Sequence, residues 1–235
     1  MRVGLLLCDH LDDDAAAVAG DYTVLMPRML EPHGVELEVF DLTEGRFPAS
    51  VKDFPAWITS GSRRSAYTDE AFIPDLLDVS FELAAIERPH AGICFGHQTI
   101  ARALGGTVER HASGWGVGAR EFDIVSAPPW MTTDADDPPD AVTLLMSHRD
   151  QVTALPSDAE VVATADYCVN GAFRVGEHVF TVQGHPEFTP ELSAFLMRKR
   201  QEDIGDDAVG AGLASLDQAL DSDRVARWIA TFLRR

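Results

Sequence analysis

The chain has 235 residues, 46% hydrophobic and 24% charged, which is enough apolar content for one sizeable core. A formal net charge of -19, from 19 basic against 38 acidic residues, argues against a nucleic-acid or anionic-membrane surface, since both need a basic face. Three widely spaced cysteines (Cys8, Cys94 and Cys168) without a CxxC pair argue against a zinc ribbon or a disulfide scaffold.

The apolar run 3–8 reads as a first strand and not as a secretory leader. No segment approaches the ~20 apolar residues of a membrane span, so the expected compartment is the cytoplasm. Helical spacing follows over 21–30, then strands over 35–40 and 56–60, the latter ending in Ser60-Gly61-Ser62. Residues 69–87 carry a broad apolar stripe that includes Phe72, Leu76, Phe81, Leu83 and Ile86, the mark of an amphipathic helix. A strand over 90–94 runs directly into a helix over 97–104, which Gly105-Gly106 stops. Strands alternating with helices predict an α/β fold, a doubly wound and mainly parallel sheet with helices on both faces.

The second half changes character. Short strand-like runs at 107–110, 118–125, 142–146, 161–165, 168–175 and 179–183 predict antiparallel pairing, with 174–178 as one hairpin connection. Helices are expected over 190–203, 208–219 and 224–233. Residues 127–140, rich in Pro and Asp, read as a surface excursion or a lid. No linker composition interrupts the chain, so a single domain over 1–235 is expected.

The chemistry concentrates at Gly92-Ile93-Cys94-Phe95-Gly96, where a strand turns sharply into a helix. In open α/β sheets function collects at the carboxyl ends of strands. A thiol at a helix start meets unpaired N–H groups and the positive end of the helix dipole, which favour thiolate. Glycines at 92 and 96 permit a tight elbow, and the Phe95 N–H then points where an oxyanion would form. A cysteine nucleophile needs a base and the base an orienter. Gln183-Gly184-His185-Pro186-Glu187 offers both, because residues two apart in an extended segment face one side. A metal held by Cys94, His97 and His185 is disfavoured, since His97 points into the next helical turn and no second cysteine is near. His10, His33 and His111 read as surface histidines, and Trp115 as a packing residue in preference to a substrate contact.

Together, GICFGHQ and QGHPE closely resemble the signature segments of the class I, triad-type glutamine amidotransferases, and the resemblance runs along essentially the whole chain. It implies a flavodoxin-like fold and hydrolysis of a γ-glutamyl amide through a thioester, with no metal or organic cofactor. By this resemblance Cys94 is the nucleophile, His185 the general base and then acid, and Glu187 the orienting carboxylate. Gly61 and Phe95 supply the oxyanion-hole amides. Gln98, Ser147, Arg149 and Asp150 fall where the family contacts its amino-acid substrate, a glutamine or γ-glutamyl compound. One departure stands out: many members carry Gly-Gly before the oxyanion turn, whereas this chain has Ser60-Gly61-Ser62-Arg63-Arg64. The SGSRRSAY form resembles a stand-alone subgroup that also contains plant-type γ-glutamyl peptidases. Arg63 or Arg64 is then either a partner for a substrate carboxylate or a solvated cation.

Nothing in the chain resembles an ATP-dependent synthase domain, and no phosphate-binding GxxxxGK[ST] loop occurs. Two leaving groups therefore stay open. Ammonia would pass to a separate synthase subunit, the reading the signatures favour; an amino acid or peptide would make the enzyme a stand-alone γ-glutamyl hydrolase. A non-catalytic binding or regulatory module on the same fold is the reading from another class, and the presence of all three triad residues counts against it.

Overall fold

The computed structural model describes residues 1–112, 114–132 and 138–235. Its strands, in chain order, are β1 (Arg2–Leu7), β2 (Glu36–Asp41), β3 (Trp57–Thr59), β4 (His90–Ile93), β5 (Thr107–Arg110) and β6 (Gly116–Ile124), then β7 (Ala141–His148), β8 (Asp150–Ala154), β9 (Ala159–Ala165), β10 (Cys168–Val175) and β11 (Val179–Val182). The helices are α1 (Asp13–Ala19), α2 (Tyr22–Leu30), α3 (Ile73–Ala85), α4 (Phe95–Ala103), α5 (Pro190–Lys199), α6 (Gln201–Ile204), α7 (Asp206–Ala214) and α8 (Ser222–Leu233).

Nine strands form one sheet in the order β2-β1-β3-β4-β11-β10-β9-β6-β7. The pairings from β2 to β11 are parallel, and those from β11 to β7 are antiparallel. β1 beyond Arg2, β4 and β11 are buried along their length, with helices covering the sheet on both sides. Alternation along β1 shows this directly: Leu5 and Leu7 pack with α2, α5 and α8, while Leu6 packs with α3 and α4. The architecture is thus α/β, with a doubly wound parallel half and an antiparallel half built from the second part of the chain. The β10–β11 hairpin turns at 176–178, as its sequence suggests. No helix among the described residues is long and apolar enough to cross a membrane.

The departures from expectation have local causes. Helix α3 begins only at Ile73, with Pro74 in the first turn, where no N–H is needed. Its buried face is narrower than the apolar stripe: Phe81 and Ile86 are exposed. The helix expected over 190–203 breaks at Arg200 into α5 and α6. Two elements carry no clear periodicity. Helix α1 is short and Ala-rich, capped by the Asp12 carboxylate on Ala15 N–H. Strand β8 follows β7 after one residue and pairs with β5 in a separate two-stranded sheet, so it reads as loop. The segment 127–140 is not wholly a surface excursion: Trp130 is buried in an aromatic cluster with Phe180 and Phe232, at 5.9 and 5.3 Å between ring centres. Residues 133–137, on which a lid would depend, lie outside the described residues.

The turn from β4 into α4 is held from two sides. Cys94 N–H continues the ladder to Val182 C=O at 2.9 Å, and Gly96 N–H donates to Ser60 C=O at 3.1 Å. The positive φ of +50° falls on Cys94 itself and not on a glycine. The flanking glycines supply closeness instead. A Cβ on Gly92 would meet the Gly96 carbonyl carbon at 2.7 Å, and one on Gly96 would collide with the Thr59 carbonyl oxygen. Gly96→Ala is therefore expected to destabilise the protein by about 1–3 kcal/mol, as overpacking against backbone does. The measurement is a urea unfolding curve, whose midpoint should fall without a change in slope.

Candidate active site

The parallel strands β1, β3, β4 and β11 are neighbours, so their carboxyl ends bring Asp9, Gly61, Cys94 and His185 to one edge of the sheet. Cys94 is buried, only 3% exposed, so the thiol sits at the base of a cleft and is not displayed at its rim. His185 is fixed by a single antiparallel bridge, its N–H donating to Leu145 C=O at 2.8 Å. A Cβ on Gly184 would meet the Leu144 side chain at 2.8 Å, which is why the preceding residue is glycine.

His185 Nδ1 and Glu187 Oε1 are 2.8 Å apart, both side chains being buried. The two meet across a turn, with Phe188 N–H reaching back to His185 C=O at 3.4 Å, and not along an extended strand as the spacing suggests. The Phe188 ring stacks on the imidazole at 4.0 Å and 16°. Nε2 is buried and has no hydrogen-bond partner of ordinary geometry among the described residues. Burial lowers the His185 pKa, but the charges of Cys94 and Glu187, with hydrogen bonding to both, outweigh it and push the value up to about 10. An imidazolium beside Cys94 at neutral pH is the consequence.

Gly61 and Phe95 lie beside this pair. Gly61 lies against the imidazole, for a Cβ there would sit 3.1 Å from His185 Cε1 and 2.9 Å from the Tyr22 hydroxyl. Among the described residues, neither the Gly61 nor the Phe95 N–H donates a hydrogen bond. The turn after Gly61 is anchored by Asp9, whose carboxylate accepts from Arg63 N–H at 2.9 Å, Ser62 hydroxyl at 3.3 Å and Arg64 Nη1 at 2.7 Å. Arg64 also pairs with Glu70 at 3.2 Å, so of the two arginines it is the structural one. The Arg63 side chain stays half exposed, its Nε 3.7 Å from the Asp9 carboxylate.

The cleft over Cys94 is lined by Gln98, Ser147, His148, Arg149 and Asp150, so the four expected substrate contacts do gather beside the thiol. Gln98 donates its side-chain amide to Asp150 C=O at 2.7 Å and Gln183 Oε1 at 3.2 Å, which ties α4 to the β7–β8 corner. Tyr67 hydroxyl donates to the Asp150 carboxylate at 3.1 Å. His97 is turned away, its Nδ1 2.8 Å from Thr181 Oγ1 and its ring against Phe173. Burial pushes the His97 pKa down to about 3, which keeps it neutral.

Several contributors escape sequence reading. Trp115, expected to be a packing residue, lines the cleft and carries the guanidinium groups of Arg149 at 5.5 Å and Arg200 at 6.0 Å. Arg200 arrives from the end of α5, inside an Arg-Lys-Arg run that reads as an ordinary helix C-terminus. His10 is not a free surface histidine but a wedge between Asp21 and Asp41, at 2.7 and 2.8 Å. Tyr22 is fully buried, and burial first, then the charges of Glu187 and Cys94, raise its pKa and hold the phenol neutral.

Comparison with known proteins adds to this geometry. The model of the glutamine amidotransferase class-I family matches residues 20–200. γ-Glutamyl peptidase 3 of Arabidopsis thaliana is 29% identical over 81% of this chain and 78% of its own length, and γ-glutamyl peptidase 2 of the same plant is 31% identical over 74% and 70%. A GMP synthase of Pyrobaculum aerophilum is 34% identical, but the match covers 72% of this chain and only 31% of that protein. Among solved structures, a glutamine amidotransferase from Thermotoga maritima shares the fold with a TM-score of 0.75 at 19% identity, covering 100% of this chain and 96% of that one. The chain belongs to the class I glutamine amidotransferase family.

Proposed function

We propose that the protein is a cysteine amidohydrolase that cleaves γ-glutamyl amide bonds through a thioester on Cys94. The observation that carries this reading is the His185–Glu187 contact at 2.8 Å beside a buried cysteine, with two backbone N–H groups left without acceptors. Cys94 sulfur attacks the γ-carbonyl carbon, and the developing oxyanion rests on the Gly61 and Phe95 amides. His185 gives its proton to the departing nitrogen as the C–N bond breaks. Water then attacks the thioester, loses a proton to His185 and releases Cys94 and glutamate. The sum is one amide and one water converted to glutamate and a free amine. Glu187 holds the imidazole orientation and stabilises its cation. Gln98, Ser147, Arg149 and Asp150 hold the amino-acid end of the substrate, and Arg149 is the partner for its α-carboxylate.

The leaving group divides the reading in two. The γ-glutamyl peptidases match over most of their own length, which favours an enzyme working alone on γ-glutamyl amides of amino acids or peptides. The matches to GMP synthases favour the second reading, in which glutamine is the substrate and ammonia passes to a separate synthase subunit.

Purified protein should release glutamate from glutamine or from γ-glutamyl dipeptides, and Cys94→Ala should abolish release while leaving the fold intact by circular dichroism. Equal release by the variant would sink the thioester. An unreactive Cys94 at neutral pH, together with no release, would favour a binding module instead.

A pH profile tests the charge state. His185 must be protonated to donate to the leaving nitrogen, and its pKa is pushed up to about 10, so the rate of acylation should fall only as pH rises through about 10. Glu187→Gln removes one contribution that raises this pKa, so its alkaline limb should shift to lower pH. A limb that stays in place would show that Glu187 does not act on the imidazole.

A further inference from the structure

The cleft over Cys94 adjoins a second one on the His185 side, lined by Asp9, Tyr22, His185 and Phe188. Arg63, Ser147 and Arg200 stand on the border and line both. In the reaction proposed above the nucleophile belongs to the first cleft and the proton donor for the leaving nitrogen to the second. The glutamyl half and the leaving amine must therefore lie on opposite sides of that border. Ammonia needs no such second cleft.

Charge in the second cleft points to what fills it. Its acids are already engaged: Asp9 by Arg64 at 2.7 Å, and Asp12 by Lys199 at 2.7 Å and by Ala15 N–H at 3.1 Å. Arg200, by contrast, has no carboxylate partner among the described residues; its Nη1 lies 3.5 Å from Ser147 Oγ and its guanidinium rests over Trp115. In a chain with 38 acidic and 19 basic side chains, a guanidinium left without a carboxylate beside a cleft is a site for a carboxylate from elsewhere. Arg149 also lacks an ion pair among the described residues but lines only the Cys94 cleft. There are thus two arginines for two carboxylates, one on each half of the substrate.

We propose that Arg200, with Arg63 on the same border, binds a free carboxylate on the leaving amine, so that the substrate class is a γ-glutamyl amide of an amino acid or short peptide. This rests on the γ-glutamyl reading of the site. The test compares kcat/KM for γ-glutamylglycine and γ-glutamylglycinamide, which share the scissile bond and differ only in the carboxylate. The wild-type protein should prefer the free acid by about tenfold or more, the scale of one hydrogen bond to a charged group. Arg200→Gln should bring the ratio close to one, and Arg63→Gln should lower it less. Because both substrates are assayed on one preparation, the ratio does not depend on how much of a variant is folded. Cleavage of both compounds at equal rates by the wild type, a ratio unmoved by Arg200→Gln, or turnover of glutamine alone would overturn the assignment while the thioester reading stands. Release of glutamate from none of the three would overturn both.

Discussion

The site depends on one backbone constraint, the positive φ of Cys94 between β4 and α4. A non-glycine residue in such a conformation costs about 1–3 kcal/mol and persists only where its surroundings over-determine it. Here the surroundings are the two flanking strand ends. Val182 of β11 accepts from the Cys94 N–H, Ser60 beyond β3 accepts from Gly96, and Cys94 C=O accepts from Gln98 in the first helical turn. The same strand ends also deliver Gly61 and His185. The bonds that hold the strained residue are therefore the bonds that assemble its chemical partners, and loosening one would disturb the other.

The histidines show how partners decide the outcome of burial. His90, His97, His148 and His185 are all buried. Burial pushes the first three down to about 3, and for His148 neighbouring imidazoles add to the effect. His185 experiences the same desolvation, yet the charges of Cys94 and Glu187 reverse its direction. The carboxylate at 2.8 Å and the charge of Cys94 separate an imidazole held protonated from three that burial holds neutral.

This contrast also marks what the sequence could convey. The Cys94 elbow and the His185–Glu187 pair are legible because each lies within a few consecutive residues, and the alternation of apolar runs predicts the strands whose ends carry them. The two glycines around Cys94 mark the turn through a different cause from the one their spacing suggests: they allow backbone to approach Thr59 and Gly96, while Cys94 takes the unusual φ. Asp9, Tyr22 and Arg200 were not legible, because each acts across a long chain separation through a contact that no local period encodes. Asp9 closes β1 and reaches Arg63 and Arg64 from 54 and 55 residues away. Strand β8 is illegible for a related reason, since its partner β5 lies outside the main sheet.

Charge is distributed with the same logic. A net charge of -19 repels anions at a distance, but at physiological ionic strength that field is screened beyond about 8 Å. Inside the cleft the balance is set by a few side chains, and those are arranged against the average. Arg64 neutralises Asp9, and Lys199, one of the two lysines in the chain, neutralises Asp12. With those acids occupied, Arg149 and Arg200 remain over Trp115, which supports them through its ring face without quenching their charge. An acidic surface is therefore compatible with two cleft arginines that have no carboxylate partner among the described residues, even though Asp150, held by the Tyr67 hydroxyl, lines the same cleft.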